Sequence, residues 1–87
     1  MIDKYILDGH TPKQVKDLME WANWFETADR VVAKTTVRNL EVSTVFLGID
    51  HSFGGSVPIL FETMIFGGEN YQERYATWEE AEAGHIW

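Results

Sequence analysis

The chain contains no cysteine, and this absence excludes disulfides and thiolate zinc sites. It has only two prolines, and no apolar run approaches the roughly 18 residues of a membrane span. A chain of 87 residues forms one small domain, residues 1–87, and such a domain buries only about 60% of its unfolded surface. Its stability therefore depends mainly on packing of its twelve aromatic residues. Formation of a homo-oligomer is a further way to stabilise a domain of this size.

Basic residues are nearly absent from the second half of the chain. Residues 1–40 contain six Lys and Arg against six acids, whereas residues 41–87 contain Arg74 alone against eight acids. Direct nucleic-acid binding is therefore not expected, because phosphate contacts need a basic stripe. The simplest interpretation of the acidic surplus is that it keeps the protein soluble. The alternative interpretation is an acidic surface that binds a basic protein, as a DNA mimic would.

The opening segment, MIDKYILDGH, carries acids where a signal peptide would carry basic residues. Together with the lack of cysteine and of a membrane span, this pattern predicts a soluble, cytoplasmic protein without membrane contact. No cofactor is expected, and no metal site is expected because the spacings of Asp50, His51, Glu62 and His85 fit no recognised set of metal ligands. Binding is expected rather than catalysis, because no Walker loop, serine elbow or H-E-x-x-H motif occurs.

The first half of the chain predicts a strand, a helix and a hairpin. Residues 4–7 form a short strand that ends at the turn Asp8-Gly9. Thr11, Pro12 and Gln14 then resemble a helix start with a capping box, and a 3.6-residue apolar periodicity continues to about residues 27–29. The β-branched run 31–37 and the segment 40–47 predict a hairpin that turns at residues 38–39.

The second half predicts a long loop, two strands and a helix. A loop over residues 48–57 precedes a central strand over 59–66, a turn at 67–70 and a short strand over 72–75. Thr77 and Glu80 form a second capping box, which opens a C-terminal helix of about ten residues. The order β-α-β-β-β-β-α predicts a small α+β domain with a mainly antiparallel sheet of four to five strands, an N-terminal helix and a short C-terminal helix.

The predicted loop carries the residues whose chemistry best suits a ligand. Consecutive glycines can form an anion-binding nest of backbone N–H groups, an imidazole can donate to a phosphate or base, and a phenyl ring can stack on a base. The simpler alternative is a turn in which the acid caps the backbone and the phenyl ring folds into the core. The loop candidates are Asp50, His51, Ser52, Phe53, Gly54 and Gly55.

Glu62 is the one charge in the predicted central strand, so it must be paired or contact a ligand. Arg74 is the one basic residue after Arg38 and lies among aromatic residues, so it is either an internal partner of Glu62 or a phosphate contact. Tyr75 and Trp78 complete the predicted site, the latter as a stacking wall at a helix start whose acids would oppose an anion.

Three segments, STVFLGIDHSFG (43–54), LFETMIFGG (60–68) and RYATWEEAEAGH (74–85), resemble those of a family of small uncharacterised bacteriophage and prophage proteins. The resemblance covers roughly residues 22–87 and implies a viral origin but no particular chemistry. Short phage proteins of this kind commonly bind a host protein or a host signalling molecule, within the host cytoplasm.

Three functional hypotheses follow. The first is a counter-defence protein that sequesters a nucleotide-like signal between the loop and Arg74. The second is an acidic inhibitor of a basic host protein. The third is a small nucleotide hydrolase, either metal-dependent or using His51 or Glu62 as general acid or base.

Overall fold

A computed structural model describes residues 3–68 and 71–86. Its elements are β1 Lys4–Asp8, β2 Thr11–Val15, α1 Leu18–Thr27, β3 Val31–Val37, β4 Leu40–Phe46, β5 Phe61–Phe66, β6 Tyr71–Tyr75 and α2 Trp78–Ile86. The strands form a two-stranded sheet, β1-β2, and a four-stranded antiparallel sheet in the order β3-β4-β5-β6. The predicted α+β class, with one helix near each end of the chain, is confirmed. Residues 69 and 70 of the predicted turn lie outside the described residues.

The start of the first helix was predicted wrongly. Thr11 and its neighbours form β2, which pairs with β1 across a two-residue turn in which Gly9 has a φ of 63°. The helix begins at Leu18, and its cap is Asp17, whose carboxylate accepts the Met19 N–H at 2.9 Å. The left-handed backbone of Gly9 favours a hairpin turn. Residues 11–15 therefore pair with β1 as a strand, although Thr11 and Gln14 resemble a helix cap. Pro12 is compatible with this outcome because β2 is an edge strand.

The other predicted elements are present with small changes of length. The hairpin turns at residues 38–39 as expected, and β5 begins two residues later than predicted. The second capping box is confirmed, because the Glu80 N–H donates to the Thr77 hydroxyl and the Thr77 N–H donates to the Glu80 carboxylate. Among the residues described, no helix is long and apolar enough to cross a membrane.

The core lies between α2 and one face of the four-stranded sheet. Phe46 of β4 and Phe61 of β5 are register partners, are fully buried and have ring centroids 5.3 Å apart. Trp24 and Trp78 each meet one of these rings edge-on. Because side chains alternate along a strand, we distinguish the helix-covered face, which contains Phe46 and Phe61, from the opposite face, which contains Glu62.

Gly48, two residues after β4, links that end of the sheet to β1 and α1. Its carbonyl accepts the Tyr5 N–H at 2.8 Å and the Trp21 indole N–H at 3.1 Å. Its backbone is left-handed, with a φ of 78°, and a side chain there would meet the Phe25 ring. This junction fixes where the following loop leaves the domain.

Candidate functional site

The loop that follows β4 leaves the sheet and returns to it at β5, and one carboxylate holds its two ends together. Asp50 accepts hydrogen bonds from the Ser52 N–H at 2.8 Å, the Ser52 hydroxyl at 3.0 Å and the Ile59 N–H at 3.0 Å. Burial opposes the ionisation of Asp50, but these bonds and the nearby His51 outweigh it and lower its pKa below the ordinary value. Asp50 is therefore an ionised clamp for the loop, as the simpler interpretation of the sequence held.

His51 is oriented by the backbone beside it. Its Nδ1–H donates to the Ile49 carbonyl at 2.8 Å, and a carbonyl can only accept. The neutral ring consequently presents Nε2 as an acceptor. The His51 N–H also bonds to the Ile59 carbonyl at 2.9 Å, which keeps the residue close to the return arm of the loop. The imidazole is thus held in one orientation at the base of the loop.

Phe53 does not fold back into the core. Its side chain is 88% exposed, and its φ of 54° places a residue other than glycine in the left-handed region. Such a conformation costs roughly 1 kcal/mol or more, and here no burial of the ring offsets that cost. The ring lies edge-on to His51, with centroids 6.4 Å apart. The expectation of a buried Phe53 is therefore wrong, and the aromatic ring is displayed to solvent.

A surface cavity of about 500 Å³ opens at this loop. This volume falls within the range of small-molecule sites. Two acidic residues contribute to its lining, and no Lys or Arg of the described residues does so. Burial, and after it the charges of Asp3 and Asp50, raises the pKa of the neighbouring Tyr5 hydroxyl. The cavity is therefore acidic and aromatic, and its lining residues are Asp3, Ile49, Asp50, His51, Phe53, Gly54 and Gly55.

Glu62 and Arg74 form a pair on the opposite face of the sheet. They are register partners on β5 and β6, and Arg74 Nε donates to Glu62 Oε2 at 2.9 Å. The Gln72 side-chain amide donates to the same oxygen. Glu62 is only 8% exposed, so this pairing supplies the partner that a carboxylate in a central strand requires. Of the two interpretations drawn from the sequence, the internal ion pair is present.

Tyr75 and Trp78 lie on the helix-covered side, where they pack against the core. Trp78 stacks in parallel on His10 at the β1-β2 turn, with centroids 3.8 Å apart. The close approach of Tyr75 to α2 requires Gly84, because a Cβ there would overlap the phenol ring. Both aromatics are therefore packing residues in this structure, and neither lines the loop cavity.

The predicted site is thus distributed over three places. The structure brings Asp50, His51, Phe53, Gly54 and Gly55 together around the cavity, with Ser52 as the hydroxyl partner of Asp50. It does not bring Glu62, Arg74, Tyr75 or Trp78 to that cavity, because these four belong to the two faces of the sheet. In the described part of the chain, no three His, Asp or Glu side chains gather as metal ligands would.

Sequence reasoning missed the cavity residue Asp3, which the β1 backbone brings beside the loop when the Asp50 N–H donates to the Asp3 carbonyl at 3.1 Å. No local pattern signals this contact, because it joins distant segments. Gln72 was also missed, although its two-residue spacing from Arg74 places both on one face of a strand and could have indicated it.

A polar network beneath α2, which runs from the buried core to the surface, was missed as well. His85 bonds through Nδ1 to the Thr44 hydroxyl at 2.7 Å and through Nε2 to the Thr35 hydroxyl at 2.8 Å. Thr44 also bonds to the Thr63 hydroxyl at 2.6 Å, and both of these threonines are fully buried. Threonines in strands are common enough that their sequence positions alone did not single them out. The network attaches the last turn of α2 to three strands.

Fold and site together define a small α+β domain with an acidic, aromatic loop cavity. Comparison with known proteins found no matching family model, no matching curated protein and no matching solved structure. The resemblance of segments 43–54, 60–68 and 74–85 to small phage proteins therefore stays a prediction.

Proposed function

We propose that the protein acts by binding a nucleotide-like signalling molecule in the loop cavity. In this proposal it is a phage counter-defence protein that sequesters the molecule in the host cytoplasm. The observation that carries the proposal is Phe53, because its ring is displayed to solvent from a strained backbone at the mouth of a cavity of ligand size. A conformation that costs free energy and buries nothing is expected where a contact with another molecule offsets the cost.

The ring of Phe53 suits a nucleobase. Stacking of a base on an aromatic side chain contributes about 1–3 kcal/mol and tolerates any base, since every base has a π face. His51 lies beside the ring and offers Nε2 to a donor on the base edge, such as an exocyclic amino group. The two side chains therefore recognise the flat, hydrogen-bonding part of a nucleotide.

The charges of the cavity decide which end of a nucleotide enters it. Asp50 is occupied by three donors from the loop, but the Asp3 carboxylate can accept from ribose hydroxyls or amino groups. Phosphate groups would be repelled by both acids. The ligand consequently enters with its base and sugar, and its phosphates remain in solvent.

This orientation changes the role first expected of Arg74. Its guanidinium neutralises Glu62 on the opposite face and does not line the cavity. In the proposal Arg74 stabilises the sheet that supports the loop, and it does not contact the ligand.

The acidic lining also favours a second candidate, the inhibitor of a basic host protein. An arginine or lysine side chain would meet Asp3 and Asp50 and could lie over the Phe53 ring as a cation–π contact. Such a complex would weaken steeply with added salt, whereas stacking of a base would not.

One experiment tests the proposal. Thermal denaturation of the protein is followed with a panel of nucleosides, cyclic dinucleotides and ordinary nucleotides, and separately with an arginine-rich peptide. A ligand at about a hundred times its dissociation constant adds roughly 2.7 kcal/mol, which raises the Tm of a small domain by about 10 °C or more. Stabilisation by a panel member that is lost in His51→Ala supports the nucleotide proposal. Stabilisation by the peptide alone, abolished by salt, would replace it with the second candidate.

A further inference from the structure

Strand β3 forms one edge of the four-stranded sheet, and within residues 3–68 and 71–86 no strand pairs with its outer side. It is seven residues long, its sequence VVAKTTV is rich in β-branched residues, and most of it is exposed. Proteins usually protect such edges, because the free N–H and C=O groups are a template for another strand. Lys34 is the one charged residue in the strand, so protection by charge is weak.

Apolar side chains cluster at the same edge. A groove of about 530 Å³ lies between β3, β4 and the end of α2 on the helix-covered face. Val37, Leu40 and Ile86 line it and are 52%, 38% and 76% exposed. Exposed apolar residues scattered singly need no explanation, but a cluster beside an unpaired strand marks an interaction surface.

We propose that this edge binds a second copy of the chain, with the two β3 strands pairing antiparallel about a two-fold axis at Thr35. The two copies then share one eight-stranded sheet. An isologous contact of this kind closes after two copies, because each edge is used once.

The hydrogen-bonding pattern of the strand selects a small set of registers. A two-residue turn closes on a hydrogen-bonded pair, here Val37 and Leu40, so the backbone groups of Thr35 also point towards β4. The backbone groups of Lys34 and Thr36 therefore point to the outer edge, where a partner strand can bond them.

Charge then chooses among these registers. Pairing centred on Lys34 would place two ammonium groups opposite each other, and pairing centred on Thr36 would place Lys34 opposite the partner's Arg38. Centring on Thr35 places Lys34 opposite the partner's Thr36, which avoids both direct oppositions and leaves the two Lys34 side chains only as diagonal neighbours. Lys34 is also partly neutralised within its own chain, since its ammonium lies 3.7 Å from the Glu41 carboxylate.

The same register is consistent with the apolar cluster. Thr35 bonds to His85, so the axis passes beside the last turn of α2 and puts both copies' Ile86 on one face of the joined sheet. Val37 lies opposite the partner's Ala33, a small residue that leaves room for it. Val37 and Ile86 of each copy are thus on the side that meets the other copy, while Leu40 lies one strand further in.

The test is sedimentation of the full chain over a range of concentrations, with a matched pair of variants at the outward position. The wild-type protein is expected to form a dimer that dissociates on dilution. Thr36→Lys places like charges opposite Lys34 at two symmetric points and weakens the dimer by about tenfold, whereas Thr36→Glu places opposite charges there and does not weaken it.

The two variants are expected to affect folding of the monomer in the opposite order. A weaker dimer can therefore be distinguished from a less stable fold. Thr36 is the register partner of Glu41 in its own chain, so Thr36→Lys favours the folded monomer and Thr36→Glu opposes it. A monomer at all concentrations up to about 1 mM would overturn the proposal. Equal dissociation constants for the two variants would also overturn it, because the register requires them to differ.

Discussion

Replacing Gly48 with alanine is expected to destabilise the domain more than the same replacement at Gly9. The new Cβ would lie 2.9 and 3.1 Å from two carbons of the Phe25 ring and 3.4 Å from the Trp21 indole nitrogen. Two costs add there. Holding a Cβ at a φ of 78° costs about 1–2 kcal/mol, and forcing a packed ring to move costs about 1–3 kcal/mol more.

The chain offers a matched control in Gly9. Its φ is 63°, but nothing lies within 4 Å of the position that a Cβ would take. Gly9→Ala therefore carries the conformational cost without the steric one. Because each kcal/mol shifts the Tm of a small domain by about 4–8 °C, Gly48→Ala should lower the Tm by about 10 °C more than Gly9→Ala.

Thermal unfolding of both variants by circular dichroism measures this difference. If the two substitutions lowered the Tm by the same amount, α1 would not pack against Gly48 as tightly as described above. The result also concerns the cavity, since Gly48 fixes the start of the loop that forms it.

Three further predictions concern hydrogen-bonded polar side chains. Asp50→Asn should destabilise the protein by about 1–3 kcal/mol at neutral pH. Because folding lowers the pKa of Asp50, its contribution is present above the ordinary value of 3.8 and is lost as the pH falls through the folded value, so urea titrations should find the variant and wild type converging in acid. Thr44→Val should cost about 1–3 kcal/mol by denaturant unfolding, and adding Thr63→Val should recover part of the loss because no lone hydroxyl remains between them. Arg74→Met should cost about 1–2 kcal/mol, less than a fully buried pair because the arginine is partly exposed; a double-mutant cycle with Glu62→Gln that gave no coupling would contradict this pairing.

Much of the fold could be predicted from local patterns. The run of β-branched residues in 31–37, the Thr77 capping box and the apolar strand ending at Phe66 each carry a signal within a few residues. The segment from Thr11 to Val15 could not be predicted this way. This segment does match the sequence pattern of a helix start. It forms a strand because of the turn at Gly9 and the pairing with β1, and neither can be recognised from the capping residues alone.

Of the candidate site, only the residues in the loop could be predicted from the sequence. Glycines, an acid, an imidazole and an aromatic within residues 50–55 identified the segment that forms the cavity. The distances from that loop to Glu62 and Trp78 depend on which face of the sheet each residue occupies, and sequence spacing does not fix this for separate strands. Asp3 was missed for the same reason, since only the folded chain brings residue 3 beside residue 50.

Binding at the loop is tested most directly by comparing two exposed phenylalanines. Phe53 lines the cavity, whereas Phe66 is also exposed but lies at the end of β5 away from the loop. Calorimetric titration of the stabilising nucleotide-like ligand should detect binding to wild type and Phe66→Ala with equal affinity. Binding should weaken by about 5- to 150-fold in Phe53→Ala, since loss of stacking removes about 1–3 kcal/mol. Unchanged affinity in Phe53→Ala would contradict the assignment of the cavity as the binding site.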